Sequence, residues 1–275
     1  MTNAADTAAR SDRWTDPFTL PAPAEAPSRR RLLSYVGRWG RARRWLPAQA
    51  ERILDVGCAF GYGSAAIAAS GPPGRVVVGV ERDAEHLAQA RELFPWVRIL
   101  EADATELPAP DGCADAVLLL DVLEHIAAPE RALAEARRVL RPGGVIVVTV
   151  PYAGLTRWLD ALNLYAALRR IRPSLPPPEA ATESDGGPHR HYTRAQLESE
   201  LAPWFVVDRS ARSGLGLPEL VALAMTTARV ARKGRAVRWL MLAHLFVSIL
   251  DYPLRAGPFS YNLAVRGLAK TEAQA

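Results

Sequence analysis

Residues 53–64 read I-L-D-V-G-C-A-F-G-Y-G-S. The first half is a short apolar run suited to a buried strand. The second half sets Gly57, Gly61 and Gly63 in one tight turn, and an Ala-rich helix start follows at 64–69. Glycines in such a turn let the backbone take positive φ and let a ligand approach bare main chain. A strand that feeds a glycine turn and then a helix predicts the nucleotide-binding corner of a doubly wound α/β sheet.

The spacing narrows the ligand. A dinucleotide corner carries G-x-G-x-x-G, which seats a pyrophosphate on the helix N-terminus. Here the order is G-x-x-x-G-x-G, with Asp55 two residues before the first glycine. A carboxylate there repels a pyrophosphate and suits a cationic ligand.

Outward from this corner, short apolar strands alternate with helical periods. Strands are predicted at 52–56, 75–81, 97–100, 114–120, 145–150, 204–209 and 261–266. Helices are predicted at 64–70, 84–94, 129–140 and 155–171, after Thr193 as an N-cap, and as an apolar pair over 218–250 broken near Lys233-Gly234. This alternation predicts a three-layer, Rossmann-like α/β sandwich with a mostly parallel sheet and helical lid insertions. Residues 1–27 lack periodicity and read as a flexible arm, disordered or loosely docked. Residues 28–270 read as a single domain, with the cofactor half at about 50–150 and lid and acceptor-side insertions at about 151–200 and 213–258. An Arg-rich segment, 28–46, carries Leu32, Tyr35, Val36, Trp39 and Trp45 at helical spacings. Its arginines suit either a solvated face or a clamp on an anionic substrate or membrane surface.

Composition excludes several classes. The chain of 275 residues is 49% hydrophobic and 23% charged, an ordinary globular balance. The net charge of +5 is carried by Arg, with Lys only at 233 and 270, and acids are interspersed, so no nucleic-acid partner is expected. Two isolated cysteines, Cys58 and Cys113, support neither a disulfide framework nor a zinc site. No secretory pattern opens the sequence and no uncharged apolar run is membrane-spanning in length, so a cytoplasmic protein is expected.

Two further acids follow sheet strands. Glu81 closes the second strand, where a carboxylate can accept both hydroxyls of a ribose. Asp103, in E-A-D-A-T-E-L-P (101–108), is placed to accept from an adenine amino group. With these, the sequence resembles the class I S-adenosylmethionine-dependent methyltransferases of the small-molecule and lipid type. The resemblance is carried by L-D-V-G-C-A-F-G-Y-G (54–63), V-G-V-E (78–81), 101–108, D-A-V-L-L-L-D-V-L-E-H-I (115–126) and L-R-P-G-G (140–144). It covers roughly 50–150 and implies a seven-stranded sheet whose last strand is antiparallel. Ala59 departs from the family, where many members have Gly.

The resemblance implies S-adenosylmethionine as cofactor. Asp55, Gly57, Cys58 and Gly63 would line its methionine moiety, with Ala59 and Tyr62 in the same turn. Glu81 and Arg82 would lie at the ribose and adenine edge, Asp103 and Ala104 at the adenine, and Leu120 and Asp121 beside the methyl-donor pocket. His125, in the family's E-H-I segment, is the candidate acid or base. Tyr152, His191 and Tyr192 are placed on the substrate side. The pair His189 and His191 lacks a supporting carboxylate or Cys pattern, so no metal is expected.

Residues 155–172 and 235–250 are apolar with basic flanks, including Arg232, Lys233, Arg235 and Arg238. Such segments suit shallow insertion in an anionic membrane at the inner face, a hydrophobic cap, or a homodimer interface. A lipid-like acceptor would rationalise them. Three rivals are weighed. A nicotinamide-dependent reductase or epimerase lacks its glycine spacing and catalytic Tyr–Lys pair. A nucleic-acid methyltransferase would often carry N/D-P-P-Y where L-D-V-L-E-H stands. A non-catalytic, membrane-recruited adaptor is opposed by the intact acids at 55, 81 and 103.

Overall fold

The central sheet is built around β1 (Arg52–Val56), whose neighbours are β2 (Val76–Glu81) and β4 (Ala114–Leu120), both parallel to it. In this computed structural model residues 15–20, 37–172, 189–230 and 234–271 are described, without the side chains of 162, 226–230, 234–238, 241, 242 and 245. Leu32, Tyr35 and Val36, the lid-like loop 173–188, the flanking Arg232 and Lys233, and most of the 1–27 arm lie outside the described residues, as do the side chains of Arg235 and Arg238.

With β3 (Arg98–Glu101), β5 (Leu140–Pro151), β6 (Phe205–Ser213) and β7 (Asn262–Ala269), the sheet has seven strands in the order β3-β2-β1-β4-β5-β7-β6. β7 runs opposite to the other six strands, antiparallel to both β5 and β6, as the family resemblance implies. The helices are α1 (Gly37–Trp45), α2 (Tyr62–Ala69), α3 (Ala84–Leu93), α4 (Pro129–Val139), α5 (Ala161–Ile171), α6 (Arg194–Leu201), α7 (Leu217–Val230) and α8 (Gly234–Asp251).

Successive strand residues face opposite layers, and both faces are covered. Val117 and Leu119 of β4 join Leu54 of β1, Leu133 of α4 and Leu197 of α6 in one core. Ala116, Leu118 and Leu120 join Ile53, Ala42 of α1 and Ile67 of α2 in another. Burial on both sides explains why these strands read as unbroken apolar runs. Thr193 caps α6 in a reciprocal capping box with Gln196, and Asp83 caps α3 through His86 N.

Two expectations change, and the arm is docked at residues 16–18, one of the two states expected of it. Phe18 is buried in the main core, Arg98 donates to the Pro17 carbonyl, and Arg52 pairs with Asp16 at 3.2 Å. The single helix over 155–171 is instead a 3-10 turn at Arg157–Leu159 followed by α5. Asp160 ends the turn and caps α5, accepting from Asn163 N at 2.8 Å. The strand at 145–150 begins earlier, with Leu140 pairing Ala114 before R-P-G-G bulges out.

Gly79, in the middle of β2, has no room for a side chain. A Cβ there would stand 2.7 Å from Cys58 Sγ and 2.8 Å from Ile99 Cδ1. Gly79→Ala is therefore expected to destabilise the fold by about 1–3 kcal/mol through overpacking, measurable by urea denaturation.

Candidate functional site

The carboxyl ends of β1, β2, β4 and β5 open into one cavity of about 710 Å³. This is the crevice where open α/β sheets place ligands. The lining divides into a cofactor-side end, a wall from α1, and an acceptor-side end closed by the C-terminal helices.

At the cofactor-side end the Glu81 carboxylate organises the main chain. It accepts from Ala59 N at 2.8 Å with one oxygen, and from Arg82 N at 2.8 Å and Asp83 N at 2.9 Å with the other. The glycine turn after β1 is thereby tied to the exit of β2. Gly57, Ala59, Glu81, Arg82, Asp103 and Ala104 all line the cavity. Asp103 Oδ1 accepts from Thr105 N and Oγ1, and its other oxygen lies 3.8 Å from Arg82. Ala59 sits in left-handed backbone at φ 46°, which explains why Gly suits this position.

Leu120 and Asp121 also line the cavity. Asp121 has φ 58° and is bound on both oxygens, by Thr149 Oγ1 and by Arg38 of α1 at 2.6 Å. Trp39, beside Arg38, packs against Gly63, and Arg41 stacks 5.3 Å from the Tyr252 ring beyond α8. The Arg-rich helix is thus a wall of the site. One of its arginines neutralises the acid at the end of β4.

Seven expected site residues lie off the cavity lining. Asp55 is buried beneath the turn, where it accepts from Ser64 Oγ at 2.6 Å. Cys58 packs inward against Gly79, and burial pushes its thiol well above the usual range. Gly63 is covered by Trp39. Tyr62 is exposed and meets Phe94 edge-on at 5.1 Å. Tyr152 turns outward, accepting from Arg212 at 3.0 Å. Tyr192 is part of the main core. His191 sits behind the lining, 3.3 Å from Asp160. For the strand residue Asp55 the cause is alternation, since successive strand residues face opposite sides.

The acceptor-side end brings the expected His125 together with His189 and with Glu124, Asp160 and Glu219, which the sequence did not single out. His125 and Glu124 lie on a 3-10 turn, Leu123–His125, just past β4, and His189 comes up against both. Burial would lower His189, but its hydrogen bond to Asp160 and the nearby Glu124 outweigh this and raise it to about 10. Burial pushes Glu124 up to about 7, and Glu219 likewise. Burial and the neighbouring His189 charge press His125 down to about 4, so at neutral pH it is an unprotonated ring that can accept a proton but has none to give. The family segment E-H-I already placed Glu124 beside His125. Glu219 and Asp251 were visible as the sole acids in the apolar stretch 217–251. Arg38 and Asp160 carried no local signal.

S-adenosylmethionine fits this cavity. Glu81 and Asp103 present carboxylates along a wall of close-approach main chain, an acceptor set suited to ribose hydroxyls and an amino group and unsuited to a pyrophosphate.

Comparison with known proteins agrees. Residues 54–148 match the family model described as "Methyltransferase domain". A probable S-adenosylmethionine-dependent methyltransferase of Mycolicibacterium smegmatis is 38% identical over 99 residues, 36% of this chain and 37% of that one. A malonyl-[acyl-carrier protein] O-methyltransferase of Pectobacterium atrosepticum is 29% identical over 215 residues, covering 77% and 79%. A Haemonchus contortus phosphoethanolamine N-methyltransferase 2, solved with phosphomonomethylethanolamine and S-adenosylhomocysteine, shares the fold with TM-score 0.57 at 17% identity, over 86% of this chain and 52% of that one. The chain spans roughly a third of the length of the first curated relatives it matches.

Two outcomes follow from this geometry. Ala59→Gly relieves the left-handed backbone and should stabilise the protein by about 1 kcal/mol, seen as a rise of about 2 °C in Tm. Burial raises Asp55 to about 6, so the stability that its protonated form contributes is present below the unfolded value and lost as pH rises through 6. Asp55→Asn keeps an oxygen for Ser64 and removes the charge. At pH 8 the ligand-free variant should be more stable than wild type by on the order of 1–3 kcal/mol, and the gap should close toward pH 4 in chemical denaturation.

Proposed function

Because residues 54–148 form a class I S-adenosylmethionine-dependent methyltransferase domain, we propose that the protein transfers the cofactor's methyl group to a small, lipid-like acceptor. The observation that carries this reading is the continuity of the cavity, which runs from Glu81 and Asp103 to His125, Glu219 and Tyr261 beneath apolar helices. When bound, S-adenosylmethionine supplies an activated methyl on a positively charged sulfur. The chain's own residues bind, orient and shield it. Glu81 has one acceptor position left beyond its three amides, on the oxygen that Ala59 N reaches, and takes a ribose hydroxyl there. Gly57 and Ala59 offer close main chain to the methionine end, and Asp103 and Ala104 take the adenine. Asp121, held by Arg38 and Thr149, fixes the wall between cofactor and acceptor. The unprotonated His125 ring can receive a proton from the acceptor. Alignment across the cavity supplies much of the remaining rate.

The lipid-like character of the acceptor is supported by the outer wall. α5 packs on α7, and α7 on α8. These elements and their approaches leave large apolar side chains in solvent, among them Trp158 (65% exposed) and Trp239 (73% exposed). Among the described residues no helix is long and apolar enough to cross a membrane. These side chains therefore suit peripheral contact at a membrane surface, from which an apolar acceptor enters the cavity.

Two measurements test the proposal. Source-cell extract incubated with enzyme and methyl-labelled S-adenosylmethionine should carry label in its lipid fraction, and label confined to the aqueous fraction would overturn the lipid-like acceptor. Glu81→Ala loses the ribose acceptor and unties Ala59, so its affinity for S-adenosylhomocysteine should fall at least tenfold by calorimetry, about 1.4 kcal/mol. Unchanged affinity would remove Glu81 from the cofactor site.

A further inference from the structure

We propose that Glu124, His125 and His189 form a binding site for a single divalent transition-metal ion, open to the cavity on the acceptor side. The sequence reading expected no metal, because the two histidines at 189 and 191 had no carboxylate in their pattern. Folding supplies one from elsewhere. Glu124 and His125 come from the 3-10 turn after β4, and His189 from the segment before α6. Arg190 clamps the two segments together, donating to the carbonyls of Leu123 at 3.2 Å and Glu124 at 3.4 Å.

The geometry suits one ion. A ligand atom from each of the three side chains lies within 4.8 Å of the other two. Ligands on an ion with bonds of about 2.0–2.3 Å stand roughly 3 Å apart when adjacent and 4–4.6 Å when opposite. All three residues line the cavity, so a further position on the ion would face it. Two imidazoles and one carboxylate with an open position form the donor set of catalytic zinc and of non-haem iron sites.

The surrounding bonds point the same way. His189 Nδ1 is engaged by the Asp160 carboxylate, which leaves Nε2 facing Glu124 Oε1 at 3.6 Å. A carboxylate behind the far nitrogen is how metal-bound histidines are oriented. Asp160 is itself fixed, by Asn163 N at 2.8 Å and the Tyr261 hydroxyl at 3.1 Å. Meanwhile the Glu124 side chain is 1% exposed, and neither of its carboxylate oxygens has a hydrogen-bond partner; buried His125 Nδ1 also lacks one. A buried carboxylate without hydrogen bonds is costly. A proton on His189 offsets its charge, but 3.6 Å is too long for that proton to bond it. An ion among the three satisfies all of them.

The use of the ion in methyl transfer rests on the function proposed above; the site itself does not. With the ion bound, His125 serves as its ligand and not as the base, and an acceptor hydroxyl at the open position would become more acidic and release its proton to solvent. Its oxygen then forms the new bond to the methyl carbon as the carbon–sulfur bond breaks, leaving a neutral thioether. The site thus selects acceptors that offer an oxygen ligand beside the methyl.

The test uses untagged, chelator-treated full-length protein titrated with Co2+, followed by ligand-field absorption and calorimetry, with Zn2+ as competitor. Wild type should bind one equivalent that Zn2+ displaces. Glu124→Gln and His189→Asn should each weaken Co2+ at least tenfold, and Asp160→Asn by about 10–100-fold. S-adenosylhomocysteine calorimetry on the same samples reports fold and cofactor pocket separately. Absence of stoichiometric Co2+ binding by wild type would overturn the metal site, as would equal binding by Glu124→Gln and His189→Asn. Intact Co2+ binding without S-adenosylhomocysteine binding would instead overturn the cofactor reading and leave the metal site standing.

Discussion

Three backbone amides, from Ala59, Arg82 and Asp83, converge on the single buried carboxylate of Glu81, and the cofactor end of the cavity takes its shape from that convergence. A carboxylate that accepts several main-chain hydrogen bonds is a strong, directional anchor. Here it joins the turn after β1 to the loop after β2, the two segments that flank a ligand at the carboxyl edge. The same anchor keeps Ala59 in a backbone conformation that a non-glycine residue otherwise avoids. Position and chemistry are therefore coupled: the carboxylate that faces the cavity also holds the main chain beside it.

The cofactor half was legible in the sequence because its determinants are local. Each strand is a short apolar run, each turn carries its glycine or acid within a few residues, and the acids at 81, 103 and 121 stand at or just past strand ends. What local spacing could not resolve was which side of the turn each residue faces. Asp55 and Cys58 belong to the right motif yet point beneath the wall. The outer half was illegible for a different reason. Arg38 with Asp121, His189 with Glu124, and Tyr261 with Asp160 are joined only by long-range folding. The break at Asp160 was hidden because the apolar period runs through it and only the cap shows where the helix begins.

The acceptor end is consequently where burial and charge are least balanced. Two carboxylates, Glu124 and Glu219, are held high by burial, and a protonated His189 sits between Asp160 and Glu124. Strongly shifted groups gathered in a cleft are where chemistry is usually carried out. Outside this buried cluster, Trp158 and Trp239 stand exposed on the elements that cover it.

The central claim is that the cofactor lies across the carboxyl edge with its sulfur directed to the acceptor end. A crystal structure of the protein with S-adenosylhomocysteine tests this most directly. The account predicts the adenine beside Asp103 and Ala104, a ribose hydroxyl on Glu81, and the sulfur facing the Asp121–His125 side of the cavity. Ligand density outside this cavity, or with adenine and homocysteine ends exchanged, would contradict it.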